Sequence, residues 1–228
     1  PAFGDRITEE AIATERGSMS DEMFARERLS ISPDLSDGFS VIPADRWDAV
    51  CDPDATTDAV VFAIDANPER SAATIVAVGK GPTVEVVDYR PGVTWLVPRC
   101  VELRDRYRAS FALDKGGPLG SFVPELQRNR VRLVELDSGE IPRASESFYD
   151  RVIEGTVKVR RNRDLDAAAR DVVRRPVGDG AWAWGRRATT VDISPLMAAS
   201  AGVWAWSQKS KARVVSMADA LRNAGELD

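Results

Sequence analysis

Three aspartates stand where acids can do chemistry together. Asp65 ends the apolar run Phe62-Ala63-Ile64-Asp65, and Asp114 ends Phe111-Ala112-Leu113-Asp114. Turn-forming residues follow each, Asn67-Pro68 in one case and Gly116-Gly117-Pro118 in the other. Asp192 precedes a helix start in Val191-Asp192-Ile193-Ser194-Pro195. If the two strands are neighbours, both carboxylates leave the sheet at one edge. A helix packed on that sheet can bring Asp192 to the same edge. Three converging carboxylates repel one another and are costly to bury unpaired. Divalent cations remove that cost, and two of them roughly 3.5–4 Å apart support phosphodiester hydrolysis. Each acid also has a plainer reading. A strand-terminal Asp is often a turn former, and an Asp before a helix complements its dipole.

Composition narrows the chemistry. The chain has no histidine, which excludes Ser-His-Asp and Cys-His catalysis in their usual forms and zinc sites built on His. Two cysteines, Cys51 and Cys100, make neither a disulfide framework nor a four-cysteine metal site, and fit a reducing cytoplasm. Carboxylates alone favour hard cations such as Mg²⁺ or Mn²⁺. The net charge of −5 is unevenly spread. Residues 1–58 hold 14 acidic against 5 basic residues, a net −9, which leaves +4 for residues 59–228. The segment Lys158 to Arg187 carries nine basic residues against four Asp and could face phosphates, or be a salt-bridged surface. No apolar run reaches the ~18 residues that span a bilayer, and the polar, acidic start carries no signal peptide.

The elements that must position the three acids follow from periodicity. Ala59 to Ile64 reads as a strand buried on both faces, Ala72 to Val78 as a second and Thr83 to Tyr89 as a third, an antiparallel meander. Leu96, Cys100, Leu103 and Tyr107 have helical spacing within a helix of about 95–107. Ser110 to Leu113 is a fourth strand, 119–129 a helix, and Val131 to Leu136 a fifth strand. Beyond it lie a helix at 145–154, a short edge strand at 157–159 and an exposed helix at 164–175. A strand at 181–184 and a helix from Pro195 to about Ser207, capped by Ser194, complete the body. The order implies an α/β fold, a mixed sheet of a three-strand meander plus helix-linked parallel strands, flanked by helices. Residues 1–37 read as an acidic leader with two helical pieces, at Thr8 onward and Ser20 to Leu29, then a linker; a 42–50 amphipathic turn surrounds Trp47. The chain starts at Pro1 rather than Met, as a piece of a longer protein would.

Several motifs in order carry a resemblance. Phe62-Ala63-Ile64-Asp65 and Phe111-Ala112-Leu113-Asp114-Lys115-Gly116-Gly117 come first. Phe148-Tyr149-Asp150-Arg151-Val152-Ile153-Glu154-Gly155, Ala181-Trp182-Ala183-Trp184-Gly185-Arg186-Arg187 and Val191-Asp192-Ile193-Ser194-Pro195-Leu196-Met197-Ala198-Ala199 follow. Over about 60–206 the chain resembles the C-terminal nuclease domain of the large terminase subunit of tailed bacteriophages. The resemblance implies a ribonuclease-H-like fold and an endonuclease that cuts concatemeric double-stranded viral DNA during genome packaging. It implies Asp65, Asp114 and Asp192 as catalytic metal ligands for Mg²⁺ or Mn²⁺, two ions in all. It further implies a host-cytoplasmic protein, transiently at the procapsid portal. Its partners would be an upstream ATPase domain of the same polypeptide, the portal and the small terminase subunit. Residues 1–40 would be the leader from that ATPase domain, 41–208 the nuclease domain and 209–228 a C-terminal tail. Relatives often carry a His near Val159 or Arg160; this chain has none, so no role is transferred there.

Lys115, Arg186 and Arg187 are the expected DNA-binding residues, through sequence-tolerant backbone contacts. Lys115 has the alternative of pointing to solvent. Glu135, Asp137, Glu146 and Asp150 are spare acids, one of which could join the site. Trp182, Trp184, Trp204 and Trp206 are expected in the core rather than as base-stacking platforms. Two other readings compete: a non-catalytic DNA or portal docking module on the same fold, and another ribonuclease-H-like nuclease such as a resolvase or transposase core.

Overall fold

The computed structural model describes residues 41–186 and 189–225, with side chains described to residue 209. The leader helices and linker expected within residues 1–40 lie outside the described residues.

Short apolar, β-branched runs separated by turns build the centre of a seven-stranded sheet. The strands are β1 (Cys51–Asp52), β2 (Val61–Ala66), β3 (Ala72–Val78), β4 (Thr83–Pro91), β5 (Ser110–Asp114), β6 (Leu133–Leu136) and β7 (Lys158–Arg160). Their order is β1-β7-β4-β3-β2-β5-β6. The β2-β3-β4 meander is antiparallel, whereas β5 and β6 join β2 in parallel on one side and β7 and β1 join β4 in parallel on the other. All six residues of β2 are buried, as a continuous apolar run in the middle of a sheet requires.

Helices cover both faces. On one face α2 (Leu96–Tyr107) and α3 (Val123–Arg128) bury Leu96, Val97, Cys100, Leu103 and Leu126 against Phe62, Ile64, Ile75 and Phe111. The opposite face carries α1 (Ala44–Val50), α4 (Glu140–Glu154), α5 (Arg163–Asp171) and α6 (Ser194–Gly225) over Val61, Ala63, Val76, Val78 and Ala112. A hairpin of β8 (Val173–Val177) and β9 (Ala181–Gly185) lies beside α4. Helix α6 packs directly on β2 and β3. A Cβ at Gly202 would meet Val78 Cγ2 at 2.8 Å and Ala63 Cβ at 3.1 Å, so helix and sheet approach as closely as a hydrogen side chain permits.

Several expectations need correction. The strand at 157–159 is not an edge: β7 pairs on both sides, and the edge is the two-residue β1, too short to leave a periodic signal. The helix expected over 164–175 is buried through Leu165, Ala168 and Ala169, and it stops at Asp171 so that Val173–Val177 forms β8. Helix α4 starts at Glu140, five residues early. The helix expected at 119–129 opens as a 3-10 turn, Gly120–Phe122. Helix α6 continues to Gly225, well past the end expected near Ser207. Cys51 and Cys100 are free thiols. No helix among the described residues is long and apolar enough to cross a membrane.

The close approach at Gly202 predicts that Gly202→Val overpacks the α6–sheet contact. Urea unfolding should show a loss of about 1–3 kcal/mol. A midpoint equal to wild type would mean that α6 does not sit on β2 and β3 as described.

Candidate metal centre

Strand pairing places the acids. In the parallel pair β2–β5, Phe62 lies beside Phe111 and Ala63 beside Ala112. The same offset carried two residues on sets Asp65 beside Asp114. Side chains alternate along a strand, so both acids share the face of Ala63 and Ala112, the face that α6 covers. Asp65 also pairs with Thr74 of β3, and Thr74 pairs with Tyr89 of β4. One row of polar residues thus crosses four strands near the sheet edge.

Tyr89 enters that row through an irregularity. The β3–β4 register shifts between Ile75 and Val76, which pair with Asp88 and Val86, and Val87 is the extra residue. Such a bulge reverses the facing of everything beyond it. Asp88 turns toward α2, where Arg99 Nε donates to it at 2.7 Å and Arg90 also pairs with it. Tyr89 turns toward α6, where its hydroxyl donates to Asp192 Oδ2 at 3.2 Å. Burial, then the nearby Asp192, pushes the Tyr89 hydroxyl up to about 12, so it stays protonated as a donor. Sequence reading missed Tyr89, because strict alternation along β4 puts it on the other face.

Asp192 is fixed at the head of α6. Its Oδ1 accepts the Ser194 N–H at 2.8 Å, and its Oδ2 accepts the Ser194 hydroxyl at 3.0 Å. Ser194 therefore does not cap the helix with its side chain: Asp192 does the accepting, and Ser194 is the first helical residue. Asp114 accepts the Gly116 N–H at 2.9 Å in the turn after β5. A Cβ at Gly117 would meet Asp114 Oδ2 at 2.9 Å, so the small residue leaves room for the carboxylate.

Arg186, one of the expected DNA contacts, lies just beyond β9 and is paired with Asp65. Its Nη1 donates to Asp65 Oδ2 at 2.5 Å and its Nη2 to Oδ1 at 2.9 Å, while Nη1 also donates to the Ala66 carbonyl at 3.0 Å. A buried carboxylate demands a counter-charge, and here a guanidinium supplies it. Burial pushes Asp65 up to about 6; Arg186 opposes that shift, and Asp114 adds to it. Burial works against the charge of Arg186, but Asp65, Asp114 and Asp192 together raise its pKa. All three acids thus act on one cation. Arg186 lines both a cleft of about 570 Å³ shared with Asp192 and a smaller one shared with Asp114. With it in place, no three acidic, Cys or His side chains among the described residues are grouped to hold one metal ion. The donor set is nevertheless hard oxygen, already gathered about a positive charge, and it suits a hard divalent cation where Arg186 gives way.

The other candidates fall out as follows. Lys115 is exposed next to Asp114, and Arg187 lies outside the described residues. Glu135 accepts from Gln127 on the α3 side, Asp137 accepts the N–H groups of Gly139 and Glu140 at the start of α4, and Glu146 accepts the Trp182 N–H. Asp150 is exposed in a cleft with Glu146 and Trp204. None of the four joins the site. Trp184 is buried with its Nε1 donating to Ser200, as expected of a core residue, whereas Trp182, Trp204 and Trp206 are half-buried.

The raised carboxyl of Asp65 has a defined sign. Folding strengthens its hold on the proton, so its contribution to stability is full below about 3.8 and is lost as pH rises through about 6. Two units correspond to about 3 kcal/mol. In EDTA, wild type should therefore lose up to about 3 kcal/mol relative to Asp65→Asn between about pH 4 and pH 7, read from denaturant midpoints. Parallel pH curves for the two proteins would contradict this.

The sequence matches no protein-family model and no curated protein. Solved structures do match. The HK97 bacteriophage large terminase aligns with a TM-score of 0.59 at 16% identity, over 90% of this chain and 52% of that one. This chain spans about half the length of that protein. The nuclease domain of the large terminase subunit of bacterial virus Sf6, a point-substituted form with manganese, gives 0.54 at 11% identity over 71% of this chain and 97% of that one. The large terminase nuclease of thermophilic phage G20c gives 0.50 at 15% identity, over 62% and 80%. The chain accordingly has the ribonuclease-H-like fold that these large terminase nuclease domains share.

Proposed function

We propose that this domain is a divalent-metal-dependent endodeoxyribonuclease that cuts double-stranded viral DNA during genome packaging. The observation that carries the reading is that Arg186 pairs with Asp65 and lines the clefts that hold Asp192 and Asp114, in a fold shared with terminase nucleases. These three acids are the proposed ligands for Mg²⁺ or Mn²⁺, and manganese accompanies the Sf6 relative. Two divalent cations bound to such a set supply activation of a water and charge stabilisation at the leaving oxygen of a phosphodiester.

The chain's own groups do the positioning. Tyr89 and Ser194 orient Asp192, the Gly116 N–H orients Asp114, and Arg186 keeps Asp65 ionised and aimed until a metal replaces it. Lys115 and Arg187 are the proposed contacts to the DNA backbone. Residues 1–40 then lead from an upstream ATPase domain, 41–208 form the nuclease and 209–228 follow it. The portal and small terminase subunit are its assembly partners, and the host cytoplasm its compartment.

The same ion pair favours one competing reading, a non-catalytic DNA or portal docking module in which Arg186 is the permanent partner of Asp65. Plasmid nicking separates the two. Wild type should nick or linearise plasmid with Mg²⁺ or Mn²⁺ and not in EDTA. Asp65→Asn should lower that rate at least ~100-fold while the domain stays folded, since even the outer-shell partners of metal ligands are worth 10–100-fold. An Asp65→Asn protein that cuts as well as wild type sinks the assignment.

Arg186→Gln offers an independent check. Without metal it strands a buried carboxylate and should destabilise the domain by about 3–5 kcal/mol. Mn²⁺ should restore much of that, so thermal melting should shift more with Mn²⁺ in the variant than in wild type. No Mn²⁺ shift in either protein would support the docking module.

A further inference from the structure

The basic segment that stands out in the sequence is partly neutralised in the fold. Arg160 pairs with Glu85, Arg161 with Asp48 and Asp166, Arg163 with Asp164 and Arg186 with Asp65, while Arg174 lies over the rings of Tyr149 and Trp182. Another concentration of positive charge lies elsewhere. Arg104, Arg108, Arg130 and Arg132 line an open cleft of about 510 Å³ whose only acid is Asp105. Arg104 and Arg108 come from the C-terminal end of α2; Arg130 and Arg132 come from the loop between α3 and β6. The fold brings two separate stretches of sequence together.

Two of these arginines are pinned. Arg104 donates to the Asn129 carbonyl and Arg132 to the Arg108 carbonyl, so each crosses from one stretch to the other and ties the cleft walls together. Arg104 also pairs with Asp105 at 2.6 Å. Among the described residues, the exposed side chains of Arg108 and Arg130 have no hydrogen bond and no ion pair. Both sit in left-handed backbone, φ 52° and 58°, where the chain turns sharply out of a helix. Helix C-termini attract cations to their free carbonyls, which accounts for Arg104 and Arg132. It does not account for Arg108 and Arg130.

We propose that Arg104, Arg108, Arg130 and Arg132 form a second binding surface for the DNA phosphodiester backbone. Forked guanidiniums match phosphate oxygens. The surface is separate from the carboxylate centre. Arg132 directly precedes β6 and Arg108 lies two residues before β5, whereas Asp114 ends β5, four residue steps or about 13 Å beyond its first residue Ser110. Contact there binds and holds DNA without reading its sequence. The choice of DNA as the polyanion rests on the nuclease reading; the surface itself does not.

The test is fluorescence anisotropy of the 228-residue chain with a labelled duplex of about 20 base pairs in EDTA, titrated with salt. Arg108→Ala/Arg130→Ala should weaken binding about 5- to 10-fold at about 100 mM salt and lower the salt slope by about two. A double variant with unchanged affinity and slope overturns the proposal, as does a wild-type chain that does not bind duplex. If the double substitution weakens binding of poly-glutamate but not of duplex, the surface takes an acidic protein segment and the proposal is overturned. Cutting activity keeps the two readings apart. A double variant that still cuts and binds as wild type removes this surface and leaves the nuclease. A chain that fails to cut with Mg²⁺ or Mn²⁺ present, but whose duplex binding depends on Arg108 and Arg130, keeps the surface and removes the nuclease.

Discussion

A carboxylate at 4% exposure sits in the middle of the sheet, and the surrounding architecture answers to it. Asp65 lies on the most buried strand, beside a parallel strand that ends in a second acid and under a helix headed by a third. Such a concentration of negative charge is not stable in a low-dielectric setting without a cation. In the folded chain Arg186 provides it, from a segment 121 residues away. That pair ties the residue just beyond β9 to the end of β2. The requirement for a cation belongs to the site, and whichever cation meets it decides what the site can do.

The supporting groups keep the acids aimed without neutralising them. Asp192 accepts three hydrogen bonds, from the Tyr89 hydroxyl and from the N–H and hydroxyl of Ser194. None of these donors is charged, so the carboxylate keeps its charge for another partner. Asp114 is held more lightly, by one backbone N–H in a glycine turn. The three acids therefore differ in rigidity. Asp65 is clamped by a guanidinium, Asp192 is braced by three donors and Asp114 is held by one.

Much of this was legible in the residues. A six-residue apolar run that stops at an acid and a turn is a strong local signal, and it located Asp65 and Asp114 at neighbouring strand ends. The meander and the helix–strand alternation after it followed from spacing alone. What escaped were features with no local period. Two-residue β1 carries none, and β8, Val-Arg-Arg-Pro-Val, does not read as a strand until it meets β9. Arg186 looked like a phosphate contact because its partner is remote in sequence. The four arginines of the open cleft sit in two short stretches that only the packing of α2 and α3 makes adjacent. Charge counted along the chain pointed to 158–187, yet Arg160, Arg161 and Arg186 there are paired within the fold.

The extra residue in β4 works as a phase shift. Before it, the strand offers Val84 and Val86 to the α6 layer. After it, the same layer receives Tyr89, while Asp88 is handed to α2. One strand thus serves as hydrophobic ballast at one end and as a polar arm at the other, with no change of direction. A chain that kept strict alternation would have to choose between a dry core and a hydrogen-bonded site. Here a single unpaired peptide lets the apolar half and the chemical half of one face be composed independently, so that substitutions on either side of Val87 act on different layers of the domain.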